Sequence, residues 1–383
     1  MDRDDPRITK RDPICGMQGT IARHGRWFCS EGCAAEYARR LAQPHAGRRA
    51  NRWWLDPWVW VPVSGALLTS AGRFWPAAAG ASAIYTGYLK KVFVPLLIGL
   101  LLGGLIDRFV PREYIVRLLS GPKKRVIARA TLLGFLASTC SHGCLALSLE
   151  LYRKGASVPA VVSFLLASPW ASMSLTFILL SLFGLKGLVI VICSLAIAFV
   201  TGLIFQRLAR RGLLDPPAVT AEMAEIRIWE DVRHRVRGYP WTAVQLAADA
   251  RGVVAGMVPL GRMVLGWVQV GLVLSAVLGA AVPHQTFMRW LGPSPLGLLL
   301  TLAVATVMEV CSEGTAPLAF ELYRHTGALG NAFAFLMGGV VTDYTELGAV
   351  WTTIGRRTVL WMLAVTLPLV IVTGLLLNGI GVH

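Results

Sequence analysis

The chain has 383 residues, 55% of them hydrophobic and 15% charged, with a mean hydropathy of +0.59. Soluble globular proteins are about 45–50% apolar and about 25% charged, so too few polar side chains are present to cover a water-facing surface. Disorder, a collagen-like fibre and a secreted disulfide scaffold are excluded by the same composition. The net charge of +16 sums 37 Lys and Arg against 21 Asp and Glu. It gathers in residues 1–52 and between Arg207 and Arg237, with long apolar runs between and after. Basic segments beside apolar runs mark the cytoplasmic side of a membrane protein. The expected partner of the charge is therefore membrane lipid and not nucleic acid. No apolar run precedes Pro57, so no signal peptide is expected and the N-terminus is placed in the cytoplasm.

The basic tail, residues 1–52, holds three of the seven cysteines: Cys15, Cys29 and Cys33. Cys29 and Cys33 are four apart, a spacing that puts both thiols on one face of a helical turn. Cys15, in a turn made by Pro13 and Gly16, can close the site, with His24 as a further ligand. Thiolates suit soft ions such as Zn(II) and Cu(I), and a reducing cytoplasm keeps them from pairing as disulfides. The text Asp12-Pro13-Ile14-Cys15-Gly16-Met17, followed by Phe28-Cys29-Ser30-Glu31-Gly32-Cys33, resembles the YHS-type heavy-metal-binding domain. That resemblance implies a small Cys-rich domain holding a copper or zinc ion. The membrane part requires no cofactor.

A spanning helix needs about 20 apolar residues. Candidates in chain order are 57–88 (one tilted or two short spans), 92–110, 126–151, 157–183, 186–207, 258–283, 295–322, 327–355 and 358–380. Residues 53–88 form an N-terminal membrane segment, and 209–257 a basic cytoplasmic loop. The Trp residues near 53–60 suit an interfacial belt.

The stretches 89–208 and 258–383 read as two copies of one unit. Cys140-Ser141-His142-Gly143 matches Cys311-Ser312-Glu313-Gly314, and Glu150-Leu151-Tyr152-Arg153 matches Glu321-Leu322-Tyr323-Arg324. Phe164-Leu165 matches Phe335-Leu336, and Val200-Thr201-Gly202-Leu203 matches Val372-Thr373-Gly374-Leu375. Repeats of this kind mark transporter folds with a substrate site near the midplane. Each copy has two interrupted apolar segments, broken at 139–144 and Ser168-Pro169 in the first, and at 311–314 and Gly338-Gly339 in the second. Segment 126–151 either crosses as a broken helix or turns back as a re-entrant hairpin. Basic residues on both flanks (Lys123, Lys124 and Arg125; Arg153 and Lys154) favour the hairpin and an inverted repeat. The fold class is thus an all-α polytopic membrane protein with two internal repeats, interrupted helices or re-entrant hairpins, and a small Cys-rich N-terminal domain.

The breaks carry the chemistry. Cys140, Cys144 and Cys311 bring thiols to mid-membrane, with Ser141 and His142 between the first two, and a soft metal or metalloid displaces the thiol proton on binding. Ser168, Pro169 and Asp343 line the path, and Glu313 joins them in the substrate site. Ionisable groups in spanning segments are rare and usually functional, which makes Glu309, Glu313, Asp343 and Glu346 candidates to relay protons. Glu150 and Glu321 each precede an Arg by three residues, as in local ion pairs. Cys193, alone in an apolar run, reads as packing.

The stretches Cys140-Ser141-His142-Gly143-Cys144, Arg153-Lys154-Gly155-Ala156-Ser157 and Phe164-Leu165-Leu166-Ala167-Ser168-Pro169 resemble the predicted-permease family that includes bacterial organoarsenical efflux permeases. The resemblance covers most of residues 89–383. It implies a multi-pass inner-membrane permease that exports trivalent arsenicals through membrane cysteines. The expected function is export of a soft, thiol-binding metal or metalloid and not enzymatic catalysis. The alternatives are a metal sensor or insertion partner, and a membrane thiol-redox enzyme, for which no Cys-x-x-Cys pair is present. No Gly-x-x-x-x-Gly-Lys-Ser/Thr motif supports ATP drive within the chain.

Overall fold

The computed structural model describes residues 21–28, 33–34, 37–38, 56–109, 118–119, 124–136, 141–153, 156–215, 233, 237, 242–308 and 312–380. Near the N-terminus, β1 (Ile21–Arg23) and β2 (Arg26–Phe28) pair antiparallel with Arg23 opposite Arg26. That register leaves a two-residue turn, His24-Gly25, with φ of 48° and 69°. Two positive φ values give a turn whose twist matches the strands, and glycine supplies the second without strain. Phe28, Cys33 and Ala34 are buried together, and the Tyr37 ring lies 5.3 Å from that of Phe28.

The rest is helical. α1 (Pro57–Phe74) starts at Asp56, whose side chain accepts from Trp58 N. It ends at Trp75, held extended (φ −122°, ψ 113°) because the next residue is Pro76. α2 (Pro76–Phe109) then folds back along α1, so that Gly72 faces Ser82 and Gly65 faces Tyr85. The sequence placed an interruption at residues 89–91. The chain turns at Trp75 instead, and α2 runs on through Lys90 and Lys91. Lys91 is accommodated because its ammonium sits over the Phe320 ring at 5.2 Å.

Beyond α2 the helices fall into two groups, one ending at Arg210 and the other starting at Ala243. In the first half come α3 (Lys124–Leu136), α4 (Ser141–Arg153), α5 (Val158–Ala171), α6 (Met173–Phe183) and α7 (Leu185–Arg210). In the second, the long α8 (Ala243–Ala281) and the short α9 (His284–Leu291) precede α10 (Pro295–Met308), α11 (Ser312–Thr326), α12 (Leu329–Val341), α13 (Tyr344–Thr353) and α14 (Arg356–Gly379). α8 begins well before residue 258, inside the stretch read as loop.

Contacts fix the helix directions. The Thr131 and Ser163 hydroxyls lie 2.8 Å apart, and Gly134 faces Ala167, so α3 and α5 run the same way. Cys144 faces Phe164 across the short connection, so α4 runs against α5. In the second half, Gly338 faces Leu302, and Thr342 Oγ1 donates to Thr306 Oγ1 at 3.0 Å, so α10 and α12 also run together. At about 1.5 Å per residue, α3 and α4, of 13 residues each, are about 20 Å long, too short to cross about 30 Å of hydrocarbon. The segments 126–151 and 295–322 are therefore pairs of short helices and not single spans.

Five stretches are long and apolar enough to cross a membrane: Pro76–Ile106, Val158–Phe183, Leu185–Arg210, Val264–Ala281 and Arg356–Gly379. α9 and α10 are apolar enough only when taken together, and they are bent by 101° at the break between them. Val158–Phe183 is 78% buried within the protein while the others are 28–44% buried, so α5 and α6 form the centre and the other spans face lipid. Every residue of α5 is buried.

Two predicted breaks move. Ser168-Pro169 lies inside α5, and the helix ends at Ala171, with Ser172 as the junction to α6. Gly338-Gly339 lies inside α12, and the junction is Thr342-Asp343. A proline removes one helical hydrogen bond. A side-chain cap favours starting a new helix, and Ser172 and Asp343 both cap. The two glycines serve close packing on Leu302 and Ala305.

Candidate functional site

At the central junction Ser172 is extended, and its Oγ accepts from Leu175 N at 3.2 Å, capping α6. The same hydroxyl donates to Glu313 Oε1 at 3.4 Å, and Ser174 Oγ donates to that oxygen at 3.3 Å. Glu313 stands in the first turn of α11 and is 2% exposed. Two helix N-termini, of α6 and α11, thus meet at one carboxylate. Helix N-termini carry partial positive charge, so a buried anion is stabilised where they converge. The junction is closed by backbone approach. Gly99 of α2 lies against Ser174, and Gly271 of α8 lies against the Gly314 carbonyl, with no room for a Cβ at either.

The thiol side is built from α4 and α5. Ser141 and His142 open α4; their side chains, like all of Cys140 and Cys311, lie outside the described residues. Cys144, one turn in, is fully buried, with Sγ 3.9 Å from both Ser148 Oγ and the Phe164 carbonyl oxygen. Ser168 follows Phe164 by one helical turn and shares its face. Its hydroxyl, and the indole N–H of Trp170, are buried without a hydrogen-bond partner. An unpaired buried polar group costs about 1–3 kcal/mol, and such groups in a protein interior call for an explanation such as water or a ligand.

The other predicted residues are placed as follows. Pro169 sits within α5, next to Ser168. Asp343 caps α13, its Oδ1 accepting from Thr345 N at 2.8 Å, Glu346 N at 3.1 Å and Thr345 Oγ1 at 2.6 Å. Those bonds are local to its own turn, which makes Asp343 a capping residue. Glu346 is buried in the first turn of α13. Glu309, Cys15 and Cys29 lie outside the described residues. Cys33 is 3% exposed beside Phe28, while His24 is exposed in its turn. Among the described residues no group of three His, Cys, Asp or Glu side chains is placed to hold a metal ion.

Sequence reasoning missed Ser172 and Ser174. The available signal was a serine immediately before the apolar run 175–183, the usual mark of a helix start, masked by the proline three residues earlier.

Comparison with known proteins gives the family. No solved structure matches the chain. UPF0718 protein YcgR of Bacillus subtilis is 23% identical over 303 residues, which cover 78% of this chain and 97% of that protein. Rv2963 of Mycobacterium tuberculosis, named as a permease, is 27% identical over 250 residues, 61% of this chain and 60% of that protein. The family ArsP_1, described as a predicted permease, matches residues 77–379, the span that contains every helix from α2 to α14. This chain is a multi-pass membrane protein that belongs to that permease family.

Proposed function

We propose that this permease exports a soft, thiol-binding metal or metalloid from the cytoplasm across the inner membrane. One observation carries the reading. The Cys144 thiol is wholly buried against α5, and a partnerless Ser168 hydroxyl stands one turn further along the same helix face. A thiol binds soft centres by losing its proton, and the hydroxyl offers the bound species an oxygen partner. Cys140 and Cys311 supply further thiols, with Ser141 and His142 beside them. A neutral trivalent arsenical avoids the cost of moving a charge through hydrocarbon. Cu(I) requires compensation by a thiolate or a proton.

The two halves are inverted repeats in this reading. The first half crosses three times, in α2, in α5 with α6, and in α7, while α3 and α4 enter and return. An odd number of crossings leaves the second half starting from the opposite face. Starting from a cytoplasmic N-terminus, this topology puts Lys124 and Arg125, Arg207 with Arg210 and Arg211, and Arg356 with Arg357 all on the cytoplasmic side. The Arg108–Asp249 ion pair, 2.7 Å long, then joins two cytoplasmic helix ends. The α3–α4 hairpin opens inward and the α10–α11 hairpin outward, and the first turn of α11 lies at the Ser172–Glu313 junction.

The N-terminal domain collects a copper or zinc ion through Cys15, Cys29 and Cys33. Cys33 stands buried beside Phe28, and a bound metal would hold its thiol ionised.

The test is uptake into everted membrane vesicles of arsenite, methylarsenite, Cu(I), Zn(II) and Hg(II). Cys144→Ser and Cys140→Ser are each expected to abolish uptake of the transported species. Flux of none of these, or undiminished flux in both variants, rejects the thiol-site reading. Retained flux after removal of residues 1–50 would make the N-terminal domain accessory.

A further inference from the structure

The wholly buried carboxylate of Glu321 plays no part in the thiol site, yet it holds three side-chain partners, from α2 and from α11. It lies on α11, eight positions after Glu313, or about 12 Å along the axis. Tyr88 of α2 donates to its Oε2. Its Oε1 receives Arg324 Nη2 at 2.6 Å and lies 2.9 Å from His325 Nε2. Gly279 of α8 closes the near side, where a Cβ would meet the carboxylate. The charged and titratable groups around it are Tyr88 and Lys91 from α2, Lys186 from the start of α7, His284 from α9, and Tyr323, Arg324 and His325 from α11 itself. Lys186 Nζ donates to Tyr323 Oη at 2.7 Å, and the His284 and His325 rings are 5.9 Å apart.

A structural ion pair needs only Arg324. This carboxylate has in addition a path to the protein surface. Arg324 is 49% exposed and His325 14% exposed, while Glu321 itself is sealed. His325 is held flat on Phe287, with ring centroids 4.6 Å apart and planes 16° from parallel, so its Nε2 stays aimed at the carboxylate. An imidazole fixed between the protein surface and a buried acid is suited to pass a proton.

We infer that Glu321 is the proton-binding site that couples a proton to the movement of the α10–α11 hairpin, loaded through His325. The inference rests on the permease reading above and names its driving ion. A proton taken up at His325 and passed from Nε2 to Glu321 Oε1 neutralises the carboxylate and regenerates the neutral imidazole. The neutral acid loses its charge-assisted bonds to Tyr88 and Arg324, and α11 loosens from α2. Glu313 and the first turn of α11, at the junction, move with it. Deprotonation restores the clamp.

Two measurements on the full chain in proteoliposomes test this. Without substrate, infrared titration follows the carbonyl stretch of protonated carboxylic acid. A band present in the wild type and missing in Glu321→Gln supports the site, and a band unchanged in that variant overturns it. With methylarsenite, Glu321→Gln is expected to cut accumulation driven by a pH gradient by about tenfold while gradient-free exchange persists. Undiminished gradient-driven accumulation overturns the coupling. If the wild type moves no methylarsenite, the substrate assignment fails and the infrared titration alone decides the Glu321 inference. Should Glu321→Gln not fold, Tyr88→Phe serves. Loss of a hydrogen bond to the charged form raises the carboxyl midpoint by about one pH unit, and an unshifted midpoint overturns the inference.

Discussion

The two helix junctions of the membrane domain differ in who satisfies them. At Asp343 the carboxylate binds the backbone and hydroxyl of its own next turn. At Ser172 the cap also reaches across the molecule, sharing Glu313 of the other half with Ser174. A junction whose polar groups are supplied by two different elements changes whenever those elements move, which is what a transport site needs. Asp343 caps its own helix, whereas Ser172 and Glu313 link two helices, although the sequence presents both acids alike.

Glu313→Ala is the strongest test of that difference. It leaves the Ser172 and Ser174 hydroxyls facing an emptied, buried space, at a cost of about 1–3 kcal/mol, and is expected to abolish flux in vesicle uptake. Flux equal to the wild type would remove Glu313 from the site. Next in size is Gly271→Val. A side chain there meets the Gly314 carbonyl, so α8 and the first turn of α11 must part, at about 1–3 kcal/mol in thermal unfolding and with a marked loss of flux. Gly348→Val, on α13 with open space at its Cβ, is the matched control and should leave flux unchanged. Asp343→Ala comes third. Losing a cap costs about 1 kcal/mol, visible as a lower Tm, while Asp343→Asn keeps an accepting oxygen and should restore both stability and flux. If Asp343→Asn folds normally yet transports nothing, the two junctions are not different in kind. The smallest effect belongs to Cys193→Ala, at the lipid-side edge of α7, which should change neither flux nor the inhibition of flux by thiol reagents. Cys144→Ala should lose flux without unfolding.

Much of the architecture is visible in sequence because apolar length is additive. The runs 186–207 and 358–380 predict α7 and α14 to within three residues, since nothing but hydrocarbon-facing side chains is needed to define them. The junctions were misplaced because local breakers are weak evidence in a packed interior. Pro169 gives up one hydrogen bond inside a helix whose every residue is buried, whereas Ser172 offers a cap three residues later. Lys90 and Lys91 look like the end of a span, but the Phe320 ring receives Lys91 and α2 continues. For Glu321, spacing predicts the Arg324 pair that forms. It cannot predict Tyr88, which lies 233 positions away.

Composition alone determined that this is a membrane protein, and the placement of its arginines determined which segments are expected in the cytoplasm, because both depend on sums over residue types and not on contacts. The stretches at 140–144, 153–157 and 164–169 together carried the resemblance to the permease family. Tertiary structure decided that 126–151 is two short helices, that Ser172 and Glu313 share one site, and that Glu321 is sealed from water while His325 is not. Each of these depends on which side chain of one helix faces which of another. That is fixed by the directions of α3, α4, α5 and α11 and by the close approach at Gly99, Gly271 and Gly279, and it has no expression in the periodicity of any one segment.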